Sequence, residues 1–511
     1  MMLLQVNTKY GTVRGSATEV ENMVVFRGIP YAAPPTGENR WKEPQPPAKW
    51  DGVRDCICYA PACWQTVRPE GSFYRTEFYE HRFYKYPPRL SEDCLYLNVW
   101  TPAASAEEKL PVMIWIHGGA FMRGESHTPR SNGEVLAGQG CVVVSINYRL
   151  GIFGFFGHPE LAEEQNGHCG NYGIMDQAAA VRWVYENIAA FGGDPQNITV
   201  FGQSAGGFSV QALSVIPQTK GLIRRAIMQS GAVANIENFG YRYHSQKETE
   251  DNGAAFADFA GKKSLSELRE MSPEDLTIMQ ARFAEAGNPA FNSLCQDDYI
   301  FYKSPYVSFL CGEEHIDELL IGATLSETKL YPIIPNVTVE NYKDIVSAFP
   351  DKEFQMMKLI PVQTDAEAAR IINTRYAWYA NGGSLALCEC MDRVAHKKVY
   401  SYSFQRDMPG SDNPGSFHSA CIRYAFGNLH NGHRPFTEED FDLEEKMVAF
   451  WSNFAKNGDP NGPGLPVWTP YTSDTPYSMV LDINAFNMAD IAAENAGFAM
   501  LRDKLIEKLK K

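Results

Sequence analysis

The chain lacks any apolar run approaching the roughly eighteen residues of a membrane-spanning helix, so no membrane partner is expected. Its opening, Met1-Met2-Leu3-Leu4-Gln5-Val6, has no basic segment leading into a long apolar stretch. It passes directly into Lys9-Tyr10-Gly11-Thr12-Val13-Arg14-Gly15, which reads as a hairpin. No signal peptide is expected from such a beginning, and a cytoplasmic address follows. Positive charge is in short supply: 46 Lys and Arg stand against 61 Asp and Glu, a formal net charge of −15. That balance repels phosphate backbones, which argues against nucleic acid as a partner. The locally basic end, Lys504-Leu505-Ile506-Glu507-Lys508-Leu509-Lys510-Lys511, reads as a helix terminus whose lysines complement the dipole. The 11 cysteines are odd in number and thinly spread over 511 residues, so they make no disulfide scaffold. Cys56-Ile57-Cys58 and Cys388-Glu389-Cys390 lack the paired spacing of a zinc site, and no metal is expected. Repeats, low-complexity linkers and clean boundaries are also missing. The length alone would suggest several domains. The simplest expectation is instead one large domain, 1–511, with a helix-rich excursion at about 235–380.

What is present is an ordinary globular composition, 44% hydrophobic and 21% charged. Short apolar runs recur: Val24–Ile29, Leu95–Trp100, Pro111–Ile116 and Val142–Tyr148. The last two are nearly continuous, as in strands buried on both faces of a mainly parallel sheet. A helical pattern from Asp176 to Ala190, with Asp176 as its start, precedes a strand at 197–201. Further strands are expected at 318–323 and 399–404, the latter with aromatics at every second position. The alternation of strand and helix predicts an α/β fold. The tail from Asn487 to Lys511 is amphipathic, with Ile491, Phe498, Leu501, Leu505 and Leu509 near one face.

After the strand 197–201 comes Gly202-Gln203-Ser204-Ala205-Gly206-Gly207-Phe208, then a helical pattern through Val215. A strand that turns sharply into a helix needs tiny neighbours, and it exposes a hydroxyl below a helix N-terminus. Ser204 is therefore the candidate nucleophile. A nucleophilic serine needs donors for the oxyanion of the transition state. The run His117-Gly118-Gly119-Ala120-Phe121 follows the strand 111–116 and offers the amides of Gly118 and Gly119, with Ala205 as a third. His117 is assigned to shaping that loop, not to proton transfer. A base and an orienting carboxylate are also needed, in the order Ser, acid, His for this layering. Glu327 lies just past the strand 318–323, and His418 lies in the small-residue loop after 399–404. Position alone leaves His430, His433, Glu313 and Glu314 open as rivals.

Longer motifs narrow the choice. Phe26-Arg27-Gly28-Ile29-Pro30-Tyr31-Ala32, Ser91-Glu92-Asp93-Cys94-Leu95-Tyr96-Leu97-Asn98-Val99, Asn147-Tyr148-Arg149-Leu150-Gly151, Asn171-Tyr172-Gly173-Ile174-Met175-Asp176-Gln177 and Phe191-Gly192-Gly193-Asp194-Pro195-Gln196-Asn197 stand in one order along the chain. With the serine turn and the His117 run, they resemble the type-B carboxylesterases, α/β-hydrolases that include the bacterial p-nitrobenzyl esterases and, more distantly, the cholinesterases. The resemblance covers nearly the whole chain. It implies an α/β-hydrolase fold, a large mostly parallel sheet flanked by helices. It implies hydrolysis of small carboxylic esters without a cofactor, through Ser204, Glu327 and His418, with Gly118, Gly119 and Ala205 as oxyanion donors. Ser230 matches a further buried serine expected to support the triad by hydrogen bonding. The family's first disulfide falls on Cys63 and Cys94, which a cytoplasm would keep reduced.

Three positions depart from the family pattern. Gln203 stands where many animal members have glutamate before the serine, Cys421 three after the histidine where glutamate is frequent, and Thr328 where glycine usually follows the acid. The aromatic loop Tyr74–Pro88 suits either contact with substrate or packing onto the body. Those rings keep open a feruloyl or cinnamoyl esterase as an alternative. An amidase or a non-catalytic binding protein of the same fold is a weaker one. A monomer or homodimer is expected.

Overall fold

The computed structural model describes residues 2–79, 89–232, 243–329, 333–349 and 355–509. Its centre is an 11-stranded sheet. In chain order the strands are β1 Ser16–Ala17, β2 Val24–Pro30, β3 Tyr96–Thr101, β4 Leu110–Ile116, β5 Val142–Ile146, β6 Gly193–Gln203, β7 Arg225–Gln229, β8 Glu318–Thr324, β9 Lys398–Phe404, β10 Ser478–Leu481 and β11 Met488–Ala489. Across the sheet they lie in the order β11-β10-β9-β8-β7-β6-β4-β5-β3-β2-β1. The neighbours from β5 through β10 pair in parallel, and the pairs at either margin are antiparallel. This is the α/β-hydrolase arrangement that the sequence led us to expect. The expected opening hairpin is present as Gln5–Asn7 paired antiparallel with Thr12–Arg14.

The apolar runs are continuous because the sheet has a core on each face. In β4, Val112, Ile114 and Ile116 enter one core, while Met113 and Trp115 enter the other. β5 divides likewise, Val142, Val144 and Ile146 against Val143. Side chains alternate across a strand, so a two-sided strand reads as an unbroken apolar run. The first core is covered by α2 Tyr172–Asn187, α3 Ala205–Leu213 and α4 Arg375–Arg393. The second is covered by α5 Cys421–Phe426 and α6 Glu438–Asn457, through Leu443, Met447, Phe450, Trp451 and Phe454. One short helix, α1 Phe73–Tyr79, lies near the candidate site. Residues 80–88 of the aromatic loop lie outside the described residues.

One expectation needs correction. Helix α2 begins at Tyr172, not Asp176. Asp176 is fully buried and receives Arg149 Nε at 2.8 Å, Nη2 at 2.7 Å and the Arg149 amide at 3.0 Å. It holds a buried arginine and caps nothing. The amphipathic tail is built from successive short elements. β11 pairs with β10, Ile491–Glu494 forms one turn, and α7 Ala496–Leu509 follows. Ile491, Phe498, Leu501 and Leu505 are buried in the core that α4 covers; Leu509's side chain is outside the described set. Each of these four contributes about 1.5–3 kcal/mol of burial. Among the described residues of 235–380, helices Gln246–Phe259, Pro273–Glu285 and Asp365–Asn373 dominate, with β8 as the main strand.

Candidate active site

Ser204 sits between β6 and α3 with φ 60° and ψ −127°, a backbone state that few non-glycine residues adopt. The surrounding small residues are explained by contact. A Cβ on Gly206 would lie 2.0 Å from the carbonyl oxygen of Ile116, and one on Gly207 2.8 Å from Gly231 Cα. The turn is pressed between β4 and the segment after β7, and no side chain fits. The Ser204 amide donates to Gln229 O at 2.9 Å, continuing the β6–β7 ladder through the turn. Strain held by such surroundings is typical of a working position.

The loop after β4 lies against this turn. A Cβ on Gly118 would meet Gln203 O at 2.4 Å, and Gly119 has φ 126°. Among the described residues the amides of Gly118, Gly119 and Ala205 are engaged by no backbone or side-chain acceptor. His117 is stacked on Tyr148 with ring centroids 4.5 Å apart, and Tyr148 Oη donates to His117 O at 2.8 Å. Burial pushes the His117 imidazole down to about 4, so it is neutral near pH 7. That agrees with the shaping role expected of it.

Glu327 and His418 are brought together. Glu327 follows β8 with its side chain fully buried, and Oε2 bonds His418 Nδ1. Glu327 Oε1 accepts the Thr324 amide at 3.2 Å, and its own amide donates to Thr324 Oγ1 at 3.2 Å. The loop carrying His418 is tied to the loop carrying Glu327. His418 N donates to Thr328 O at 3.2 Å, Thr328 Oγ1 to Pro414 O at 2.6 Å, and the Ser326 amide to Ser416 Oγ at 3.1 Å. Thr328, noted in the sequence only as a departure, is part of this tie. The rivals fall elsewhere: Glu313 pairs with Lys303, Glu314 with Lys397, and His433 with Glu77. His430 sits in the short turn Leu429–Asn431.

The other side of His418 faces Gln203, whose Nε2 is 3.1 Å from His418 Nε2. Ser419 Oγ donates to Gln203 Oε1 at 2.9 Å, which orients the amide with its NH2 toward the imidazole. The Ser204 hydroxyl makes no hydrogen bond among the described residues. Sequence reasoning missed Ser419, which carries no motif of its own.

The role expected of Ser230 changes. Ser230 is fully buried with φ 49°, but its hydroxyl has no partner among the described residues. Its contribution is the amide, which donates to Gly322 O at 2.8 Å and ties the end of β7 to β8. Cys63 and Cys94 are not bridged; they are buried free thiols. The Cys63 thiol beside it, together with burial, holds the Cys94 thiol well above its usual range. Among the described residues no group of three or more His, Cys, Asp or Glu side chains could hold a metal ion.

A mostly parallel sheet, a serine on a strained strand-to-helix turn, and a Glu–His pair past the ends of two further parallel strands define an α/β-hydrolase. The comparisons carry this to the family. A model described as the carboxylesterase family matches residues 3–498. Para-nitrobenzyl esterase of Bacillus subtilis (strain 168) is 34% identical over 518 residues, covering 98% of both chains. The medium-chain fatty acyl-CoA hydrolase precursor of Anas platyrhynchos is 34% identical over 514 residues, covering 93% of this chain and 88% of its own. A solved PNB esterase superposes with TM-score 0.81 at 31% identity, over 98% of this chain and 99% of that one. A Geobacillus stearothermophilus carboxylesterase does so with TM-score 0.77 at 30% identity, over 97% and 100%. The chain belongs to the type-B carboxylesterase family and is a carboxylesterase. No helix among its described residues is long and apolar enough to cross a membrane.

Proposed function

We propose that the enzyme cleaves small carboxylic esters through an acyl-enzyme on Ser204. Glu327 holds His418 Nδ1–H, which leaves the lone pair on Nε2. In the free enzyme the Gln203 amide donates to that lone pair; the Ser204 hydroxyl takes its place as substrate binds. His418 then accepts the serine proton as Oγ attacks the ester carbonyl. The Gly118, Gly119 and Ala205 amides hold the oxyanion, each worth about 3 kcal/mol of transition-state binding. His418 returns the proton to the leaving alcohol, and water activated by the same imidazole releases the acid. A cytoplasmic address, with which the buried free thiols accord, belongs to the same proposal, as does a monomeric or homodimeric state.

The observation that carries this reading is the Glu327–His418 pair, whose imidazole faces Gln203 next to a strained Ser204, with Gly118 packed against that serine. The test is hydrolysis of p-nitrophenyl esters, acetate through decanoate plus ferulate, by wild type and Ser204→Ala. Turnover by the wild type and a loss of about 10⁴-fold or more in kcat for the variant are expected. Equal turnover by both proteins contradicts the mechanism. A rate on ferulate far above all aliphatic esters would turn the reading toward an aryl esterase.

A further inference from the structure

One buried hydroxyl beside the Glu327–His418 pair has a single contact to make. Ser419 follows His418 and is only 6% exposed. Its backbone has φ 83°, a left-handed state that is costly for a residue with a side chain and that glycine adopts freely. Among the described residues its Oγ bonds one atom, Gln203 Oε1, at 2.9 Å. Gln203 is confined in turn. It is 1% exposed, and among the described residues its amide has two partners: Ser419 at the oxygen end, and His418 Nε2 at the nitrogen end at 3.1 Å. Backbone strain is thus held at a residue whose hydroxyl reaches only the amide that meets the imidazole.

A primary amide can face an imidazole in two ways, and the two favour opposite protonation states. With its NH2 toward Nε2 it donates to the lone pair of neutral histidine. With its oxygen toward Nε2 it accepts from imidazolium. The Ser419 hydroxyl donates to Oε1 and so selects the first. A hydrogen bond to the neutral form disfavours the charged one. The other groups around the imidazole leave this choice to Gln203. Glu327 bonds Nδ1, on the opposite side of the ring. Tyr376 meets the ring edge-on, with centroids 5.7 Å apart. Tyr74, Tyr402 and Cys421, close to Glu327, are uncharged near pH 7, because burial raises all three, Cys421 to about 12.

We propose that Ser419 is a positioning residue for the hydrolysis. By holding the Gln203 amide with its NH2 toward His418, it keeps the imidazole neutral, and so able to take the Ser204 proton, down to lower pH than an amide free to turn would allow. The effect on rate rests on the ester hydrolysis proposed above; the effect on His418 itself does not.

The test follows two readouts in wild type, Ser419→Gly and Ser419→Ala, and in the same two changes made on Gln203→Met. One is the pH dependence of kcat/KM for p-nitrophenyl butyrate. The other is the titration of His418 by NMR in histidine-labelled protein, its signal assigned by its absence in His418→Gln. Both Ser419 variants should raise the acid limb and the His418 midpoint by roughly half to one pH unit, a loss of about 3–10-fold in kcat/KM on the acid side. On Gln203→Met neither change should move them. Ser419→Gly should melt close to the wild type, because relief of the strain at φ 83° offsets the lost hydrogen bond. A His418 midpoint that stays or falls in both variants overturns the proposal, as does an equal rise on Gln203→Met. A lower Tm with an unmoved midpoint would make Ser419 merely structural and overturns it too. Absence of ester hydrolysis by the wild type counts against the proposed function instead, while the NMR titration still decides the role of Ser419.

Discussion

At the scale of single residues, Gln203 is the departure with the clearest consequence. It meets the imidazole nitrogen that the mechanism requires to be basic, at 3.1 Å, and it is neutral. Gln203→Glu would place an anion at that distance and favour the imidazolium. The acid limb of the kcat/KM profile should then move to higher pH, because a base with a raised pKa is unprotonated only above it. A pH–rate series on a neutral ester checks this; a limb that stays put or moves down contradicts the geometry. Gly206 makes the steric counterpart. Gly206→Ala would press a methyl group to within 2.0 Å of Ile116 O, and the turn has no slack. A loss of about 1–3 kcal/mol or more in unfolding free energy is expected by urea titration, with activity lost as well.

At the scale of elements, what could be read in the sequence followed how local the signal was. The strands of the parallel region were legible because both faces are buried, as Val112–Ile116 shows with its alternate side chains in two cores. The serine turn was legible because contact forbids side chains at Gly206 and Gly207. The start of α2 was not, since Asp176 looks like a cap to any local rule while its partner, Arg149, lies 27 residues away. The Gln203–Ser419 bond spans 216 residues and has no local signal at all. Ser230 was found by motif, but motif could not tell that its amide, not its hydroxyl, makes the bond. The Arg149–Asp176 pair gives a prediction at this scale. Arg149→Met leaves a fully buried carboxylate alone and should cost about 3–5 kcal/mol, while replacing both partners together should cost much less. Denaturant unfolding of the single and double variants measures the difference.

At the scale of the molecule, buried titratable groups tie stability to pH. Burial pushes the Glu125 carboxyl up to about 8 from an ordinary 4.5, and its side chain is fully buried. His127 Nε2 lies 3.3 Å away, pushed down to about 3 by the same burial, so the two groups are neutral together. A folded state that keeps a proton the unfolded chain gives up at 4.5 loses stability as pH rises toward 8. Glu125→Gln should therefore melt higher than the wild type at pH 8, with the gap closing toward pH 4.5. A constant gap would contradict that linkage. We also expect 1–511 to unfold as one domain, giving a single calorimetric transition whose van't Hoff and calorimetric enthalpies agree. The central claim is that one serine among many attacks the carbonyl, and covalent labelling tests it most directly. The enzyme is treated with a fluorophosphonate, and its intact mass and peptide map are read. The account predicts one adduct per chain, on Ser204, formed much more slowly in His418→Ala. An adduct on another residue, or labelling at the same rate in His418→Ala, would contradict it.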